Sequence, residues 1–191
     1  MPATVVAAAL KAFPCNLIQG YGQTEGMTMS FLSQEDHLRA VAGEYPERLA
    51  SCGREGFVTS IRLVDENGEL VPRDGKTHGE IIIKSEANML GYWQRPDKTA
   101  ETLRDGWMWS GDIAVWDASG YIYIVDRAKD MIISGGENIF SVQVEAAIHQ
   151  HPAVLESAVI GIPSEEWGET VHAVVVLKPG EMASAEDIIA A

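Results

Sequence analysis

The spacing of apolar residues along the chain changes several times between a helical period and the alternation that is typical of strands. A helix-like apolar stripe occupies residues 5–13, and Ser33-Gln-Glu-Asp36 predicts a capping box for a short helix. A further helix is predicted from Ser141, as its cap, through Gln150. Short apolar runs bounded by turn residues predict antiparallel strands between and after these helices. The predicted strands lie at 16–20, 57–64, 79–84, 121–125, 154–162 and 171–177.

Turn signals group these elements into two parts. Several short strands between residues 51 and 126 predict a small antiparallel barrel or curled sheet. After Lys129 the order becomes strand, helix, strand, strand and helix, with Gly161-Ile-Pro163 predicted to end one strand. We therefore predict a mixed α+β fold, with one domain over 1–126, a junction at 127–130 and a smaller α+β domain over 131–191.

Composition and charge narrow the possible functions. The chain has 191 residues, of which 46% are apolar, so it can bury a core, and its formal net charge of −14 argues against nucleic-acid binding by bulk attraction. Cys15 and Cys52 are too far apart for a metal or redox motif. With no signal-like segment and no apolar run of roughly 18 residues, we expect a cytoplasmic protein.

The first candidate site is the glycine-rich run from Gly20 to Gly26. Three glycines in seven residues predict a loop that a ligand can approach closely. Thr24 offers a hydroxyl to a phosphate oxygen, Glu25 offers a hard oxygen ligand to Mg²⁺, and Tyr21 offers a flat face to a base. The alternative is an ordinary turn in which Glu25 is simply solvated.

The second candidate site begins at Ser110-Gly111-Asp112, where a carboxylate stands beside a glycine. A turn at 117–120 and a strand follow, and Asp126-Arg127-Ala128-Lys129 ends the strand with charged residues. We interpret this segment as a nucleotide-ribose site followed by a domain junction.

Taken together, in their order and spacing, these runs resemble the adenylate-forming (AMP-binding) enzymes, which include acyl-CoA synthetases, luciferases and peptide-synthetase adenylation domains. Four motifs carry the resemblance, and they extend over nearly the whole chain. They are Tyr21-Gly-Gln-Thr-Glu25; Gly79-Glu-Ile-Ile-Ile83 with Gly91-Tyr-Trp-Gln-Arg-Pro96; Trp107 to Asp112 with Asp117 to Tyr121 and Arg127; and Asp130 to Ile139 with Glu145.

A few positions depart from the pattern of this family. Ser110 stands where Thr is usual and keeps the hydroxyl, and Asp97 replaces the usual Glu. Asp126 takes a place often held by Gly, while Ser141 and Gln143 replace a usual Pro and Glu at the start of a helix.

The resemblance implies a two-step reaction with ATP, Mg²⁺ and coenzyme A. A carboxylic acid is first activated as an acyl-adenylate and is then transferred to the thiol of coenzyme A. It implies that Asp112 accepts hydrogen bonds from the ribose hydroxyls, that Arg127 donates to the same ribose, and that Tyr21 stacks on adenine. The remaining nucleotide-site residues it implies are Gly20, Gly22, Gln23, Thr24 at the α-phosphate and Glu25 at Mg²⁺.

The resemblance also implies roles for residues in the second half of the chain. It makes Lys129 the hinge residue about which a small C-terminal domain rotates, with 1–126 as the end of the large N-terminal domain. It brings Ser134, Gly135 and Gly136 to the pantetheine tunnel and places Trp167 near coenzyme A. The family's phosphate loop and its C-terminal catalytic lysine are not among these 191 residues, so we expect the isolated chain not to form adenylates.

Three functions are compatible with these residues. The leading hypothesis is part of an acyl-CoA ligase for a fatty or aromatic acid, because the run Ser134-Gly-Gly-Glu-Asn-Ile139 resembles coenzyme A ligases most. The second is an adenylation enzyme that loads a carrier protein. The third is a non-catalytic module that binds a nucleotide. The oligomeric state and the identity of the acid do not follow from the sequence.

Overall fold

The computed structural model describes residues 3–190, which form a mixed α/β structure with antiparallel sheets, as predicted. Contacts between Cα atoms divide the chain into two compact units, the first ending at Ile124 and the second beginning at Val125. Each unit has its own apolar core, so each is described by itself. In the range 3–190 no helix is long and apolar enough to cross a membrane.

The first unit begins with helices and a small sheet. Its elements are α1 (Ala3–Ala12), β1 (Gln19–Gln23), β2 (Met27–Leu32), α2 (Gln34–Val41), a 3-10 helix (Pro46–Ala50) and β3 (Arg54–Glu55). β1, β2 and β3 form an antiparallel sheet in that order. Helix α1 buries Val6 in a cluster with Ala40 and Leu49. The predicted capping box is confirmed, since Ser33 and Asp36 exchange hydrogen bonds at the start of α2.

The prediction of a loop over the whole glycine-rich run is wrong in its first half. Gly20, Tyr21 and Gly22 lie in β1, and only Thr24 to Gly26 form the turn to β2. Gly22 accounts for the difference. The register of β1 and β2 shifts between Tyr21 and Gly22, and a Cβ on Gly22 would lie 2.0 Å from the carbonyl oxygen of Met27. The glycine therefore allows two backbones to approach each other in a bulged hairpin.

The rest of the first unit is a curled antiparallel sheet. Its elements are β4 (Thr59–Val64), β5 (Gly79–Ser85), α3 (Pro96–Thr102), β6 (Leu103–Arg104), β7 (Trp107–Trp116) and the first half of β8 (Ile122–Arg127), whose residues 125–127 belong to the second unit. The strand order is β4-β5-β7-β6, and β8 also pairs with β7. Alternate residues of β4 and β5 point into one core, where they are buried: Ile61, Leu63, Ile81 and Ile83. This half-barrel is the curled sheet that the strand pattern predicts, and β7 is one of its strands.

The second unit is a smaller α+β structure. Its elements are β9 (Ile132–Ser134), β10 (Glu137–Ile139), α4 (Ser141–Ile148), β11 (Val154–Ser164), β12 (Gly168–Leu177) and α5 (Ala185–Ile189). The sheet order is β10-β9-β12-β11, and its core contains Ile132, Ile148, Val154 and Val159. The predicted C-terminal helix is present at Ala185–Ile189, while residue 191 lies outside the described residues.

Two local predictions for the second unit are wrong. Gly161-Ile-Pro163 does not end β11, which stays paired with β12 through Pro163 and Ser164. β11 is an edge strand, where a proline without an N–H group is tolerated. Ser141 is not the cap of α4 but its first residue, after Phe140. Its hydroxyl donates a 2.9 Å hydrogen bond to the buried carboxylate of Asp126, which also accepts from the amide of Val142 at 3.4 Å.

Candidate functional site

The carboxylate of Asp112 is the centre of the candidate nucleotide site in the first unit. Asp112 lies in β7 and is 5% exposed. The hydroxyl of Tyr21, from β1, donates a hydrogen bond of 2.6 Å to Oδ2 of Asp112. The structure therefore brings together the two residues that the sequence analysis assigned to adenine and ribose, from segments 91 positions apart.

Tyr21 belongs partly to the core of the first unit. Its ring is half-buried and packs against the core of the first unit. Burial, and then the neighbouring carboxylate of Asp112, raise the pKa of the Tyr21 hydroxyl above its ordinary value. The hydroxyl therefore stays protonated at physiological pH and remains a donor to Asp112.

Gln23 makes a second connection to the same carboxylate. Its side-chain Nε2 donates to Oδ2 of Asp112 at 2.7 Å and to the backbone carbonyl of Ser110 at 2.9 Å. Tyr21 and Gln23 are two positions apart on β1, and so their side chains leave the strand on the same face. The alternation of β1 thus directs two donors at one oxygen atom.

Glu80 supports the backbone immediately before Asp112. The amide of Gly111 donates a 2.9 Å hydrogen bond to Oε1 of Glu80, and Gly111 has a φ of +73°, a conformation that favours glycine. Burial raises the pKa of the Glu80 carboxyl, while the hydrogen bond from Gly111 and the charge of Arg104 act in the opposite direction. Glu80 was not among the predicted site residues.

Thr24 and Glu25 lie at the tip of the β1–β2 hairpin. Thr24 is exposed, and Glu25 is half-buried. The hydroxyl of Tyr92 donates to Oε1 of Glu25 at 2.8 Å, and the amide of Met89 donates to the Glu25 carbonyl at 2.6 Å. The loop that carries Gly91-Tyr-Trp is therefore attached to the hairpin tip, a link between two motifs that sequence spacing did not show.

The carboxylate of Glu25, which accepts a hydrogen bond from Tyr92, is compatible with a bound Mg²⁺. This ion is commonly held by one or two carboxylates together with substrate phosphates and water. Glu25 presents a carboxylate at an exposed hairpin tip, beside the hydroxyl of Thr24. Among residues 3–190, no group of three or more His, Cys, Asp or Glu side chains could hold a metal ion.

The predicted junction residues lie in a tight turn at the start of the second unit. The carbonyl of Arg127 accepts hydrogen bonds from the amides of Asp130 at 3.0 Å and Met131 at 3.1 Å. Arg127 and Lys129 are both exposed. The rotation of a domain about Lys129 and the contact of Arg127 with ribose stay predictions.

The second unit brings together the four residues assigned to coenzyme A. Ser134 ends β9, and Gly135 and Gly136 form the turn to β10, with φ angles of +59° and +86°. The amide of Gly135 donates to the carbonyl of Trp167 at 2.9 Å. A Cβ on Gly135 would lie 2.9 Å from the Trp167 ring, which is 52% exposed. The indole and the glycine turn thus form one continuous surface.

Sequence reasoning missed two of the residues that organise the first unit's site. Glu80 belongs to the Gly79-Glu-Ile run and Tyr92 to the Gly91-Tyr-Trp run, so both motifs were noted without a role for these side chains. A signal was present, because a charged residue inside an otherwise apolar strand needs a polar partner. Which partner it has depends on the pairing of β5 with β7, which a single sequence does not reveal.

Comparisons with known proteins agree with these motifs. A family described as "AMP-binding enzyme" matches residues 1–93, and one described as "AMP-binding enzyme C-terminal domain" matches residues 143–191. The chain is 43% identical over 173 residues to a feruloyl-CoA synthase of Amycolatopsis sp, and this match covers 91% of this chain and 33% of that protein. It is 42% identical over 174 residues to the medium/long-chain-fatty-acid–CoA ligase FadD8 of Mycobacterium tuberculosis, covering 91% of this chain and 29% of the ligase.

A solved structure shows the same fold. The o-succinylbenzoate CoA synthetase from Bacillus subtilis, in complex with the acyl-adenylate intermediate OSB-AMP, superposes with a TM-score of 0.81 at 33% identity. The match covers 98% of this chain and 36% of that one. The chain spans about a third of the length of the curated relatives it matches. With both family profiles in order along the sequence, the chain belongs to the AMP-binding enzyme family.

Proposed function

We propose that this chain is part of an ATP-dependent acyl-CoA ligase. The enzyme would activate a carboxylic acid as an acyl-adenylate and transfer the acyl group to coenzyme A. The observation that carries the proposal is the hydrogen-bonded group formed by Tyr21, Gln23 and Asp112 beside Gly111. It presents a fixed carboxylate and an aromatic ring at a glycine, as a nucleoside site requires.

In the first half-reaction an oxygen of the substrate carboxylate attacks the α-phosphorus of ATP, and pyrophosphate leaves. Asp112 accepts hydrogen bonds from the ribose hydroxyls, together with donation from Arg127, and Tyr21 lies against adenine. Thr24 donates to the α-phosphate from the hairpin tip, beside the backbone of Gly20 and Gly22. Gly22 also allows the close approach of β1 and β2 at the bulge.

Mg²⁺ would be held by Glu25 and the phosphates, and it supplies charge neutralisation when bound. Tyr92 keeps the Glu25 carboxylate in place through its hydroxyl. The ion is therefore expected at the exposed tip of the hairpin, where phosphates can reach it without the carboxylate being buried.

In the second half-reaction the thiol sulfur of coenzyme A attacks the acyl carbonyl carbon and gives up its proton. The bond between that carbon and the phosphate oxygen breaks, and AMP leaves with the electron pair of this bond. Residues 131–191 belong to the small C-terminal domain in this proposal, and 127–130 form the hinge, with Lys129 as the residue that rotates. Ser134, Gly135 and Gly136 line the pantetheine passage, and the exposed Trp167 ring forms one wall beside Gly135.

The acid is proposed to be fatty or aromatic. The two curated relatives named above are a feruloyl-CoA synthase and a medium/long-chain-fatty-acid–CoA ligase, at similar identity to this chain. The activity belongs in this proposal to the complete enzyme, and we expect the 191-residue chain alone not to form adenylates.

Acid-dependent exchange of pyrophosphate into ATP by the complete enzyme tests the proposal. A panel of aromatic and fatty acids should contain acids that support exchange, and mass spectrometry should then detect the matching coenzyme A thioester. Thioester formation only on a carrier protein would move the function to the second hypothesis. AMP binding without any acid-dependent exchange would reduce it to a nucleotide-binding module and contradict the proposal.

A further inference from the structure

We propose that Gln23 is a positioning residue that orients Asp112 and thereby sets the preference of the site for a ribonucleotide over a 2′-deoxyribonucleotide. The inference rests on the proposed function, since it assumes that Asp112 accepts a hydrogen bond from the ribose. It changes the role expected for Gln23 from the sequence, which was direct contact with the nucleotide.

The geometry shows that Gln23 acts through other protein groups. Its Nε2 carries two N–H groups, and two protein acceptors engage them, the Ser110 carbonyl at 2.9 Å and Oδ2 of Asp112 at 2.7 Å. An amide turned the other way would direct its own oxygen at both acceptors, so one orientation of the side chain is strongly favoured. The amide therefore joins the backbone before Gly111 to the carboxylate after it.

Because Asp112 is buried, the two hydrogen bonds of the Gln23 amide affect how its carboxylate is oriented. The side chain is buried, and a buried carboxylate requires donors. Tyr21 approaches Oδ2 at 2.6 Å and Gln23 at 2.7 Å from the same face of β1. Two donors on one oxygen fix the plane of the carboxylate, and hence the direction from which a ribose hydroxyl can donate to it.

The preference of the enzyme for ATP over 2′-deoxy-ATP separates a positioning role of Gln23 from a role in the stability of the fold. An Asp112 carboxylate that is correctly oriented gains from the 2′-hydroxyl of ATP, which 2′-deoxy-ATP lacks. If the carboxylate rotates, the KM for ATP rises more than the KM for 2′-deoxy-ATP, because 2′-deoxy-ATP has only the 3′-hydroxyl to lose as a donor to Asp112. A general loss of stability would raise neither KM selectively.

The test compares Gln23→Met with Gln19→Met in the complete enzyme. Gln19 lies on the same strand and face, but its Nε2 donates to the carbonyl of Ser51 at 3.2 Å. We expect Gln23→Met to lower the preference for ATP over 2′-deoxy-ATP about tenfold, the effect of losing one hydrogen bond to a charged group, mostly through KM. Gln19→Met should keep the parent preference.

A second variant keeps the inference testable if methionine disturbs the strand. Gln23→Glu has the same length but replaces the donor with an acceptor, so it should lose at least as much preference. An unchanged preference in both Gln23 variants, or an equal change in Gln19→Met, would overturn the positioning role while the parent's acid-dependent exchange still supports the proposed function. A parent enzyme without that exchange would overturn both.

Discussion

The hydroxyl of Tyr21 donates a 2.6 Å hydrogen bond to the buried carboxylate of Asp112, across 91 positions of sequence. The two side chains therefore form one structural unit, in which the position of the ring and the orientation of the carboxylate depend on each other. A ligand that stacks on the ring would meet a carboxylate whose direction the same tyrosine helps to set.

The substitution Tyr21→Phe tests this coupling. It keeps the ring and removes one donor to a charged acceptor, a change of roughly 1.5–3 kcal/mol. We expect the KM for ATP in pyrophosphate exchange to rise about tenfold, with a smaller change in kcat.

Tyr123→Phe is the matched control. Tyr123 is also half-buried, burial raises its pKa to about 12, and its hydroxyl has no hydrogen-bond partner among the described residues. Removing that hydroxyl should leave the KM for ATP unchanged and stability equal or slightly higher. Equal kinetic effects of the two substitutions would argue against a special role for the Tyr21 hydroxyl.

The substitution Glu80→Gln should increase thermal stability at neutral pH more than at acidic pH. The folded-state pKa of Glu80 is raised, mainly by burial, so the folded chain keeps a proton that the unfolded chain has lost. The contribution of Glu80 to stability therefore falls as pH rises through its ordinary value of about 4.3 and remains lower above the raised value. Glutamine keeps an oxygen acceptor for the Gly111 amide without the charge.

Thermal unfolding at about pH 4 and about pH 7 measures this difference. Glu66→Gln, at an exposed turn position, controls for the change in net charge. A greater gain at the acidic pH than at neutral pH would show that the sign of the Glu80 shift is wrong.

The substitutions Gly135→Ala and Gly136→Ala should differ in cost. Both glycines have positive φ, so alanine at either position is strained by about 1–2 kcal/mol. Only at Gly135 would the added Cβ also meet the Trp167 ring, at 2.9 Å, whereas nothing lies within 4 Å at Gly136. We expect the larger loss of unfolding free energy for Gly135→Ala.

A double mutant isolates that steric contact. Combining Gly135→Ala with Trp167→Ala should recover part of the loss, a coupling of roughly 0.5–3 kcal/mol between adjacent residues. Strictly additive effects in urea unfolding would mean that the ring moves away without cost.

The substitution Trp167→Ala should impair only the second half-reaction. Loss of the exposed ring removes one wall of the proposed coenzyme A passage, and we expect the KM for coenzyme A to rise about three- to tenfold. Pyrophosphate exchange, which does not need coenzyme A, should be unaffected. Trp167→Phe should retain most of the affinity, and a parallel loss of exchange in Trp167→Ala would contradict a role confined to coenzyme A.

The sequence predicted the fold best where one residue type has one physical role. The capping box at Ser33 and Asp36 and the turn at 117–120 are local, and both are present. The predictions that failed depended on pairing between distant segments. Pro163 stays in β11 because that strand is at an edge, and Ser141 lies inside α4 because Asp126 accepts its hydrogen bond.

The candidate site shows the same division. The motifs identified Tyr21 and Asp112 as functional residues, but they did not indicate that one hydrogen-bonds to the other. Glu80 and Tyr92 were missed because their partners, Gly111 and Glu25, are distant in sequence and are reached only through strand pairing and loop packing. Periodicity and spacing report the local environment, whereas the contact of Glu80 with Gly111 depends on the register of β5 against β7.

The KM for ATP of Asp112→Ala in the complete enzyme is the sharpest measurement of the proposed ribose role of Asp112. Acid-dependent pyrophosphate exchange gives that value, and the KM for coenzyme A serves as an internal control. We expect the KM for ATP to rise about tenfold or more, because the charged hydrogen bonds to the ribose are lost, and the KM for coenzyme A to stay unchanged. An Asp112→Ala enzyme with the parent's KM for ATP would contradict the ribose role.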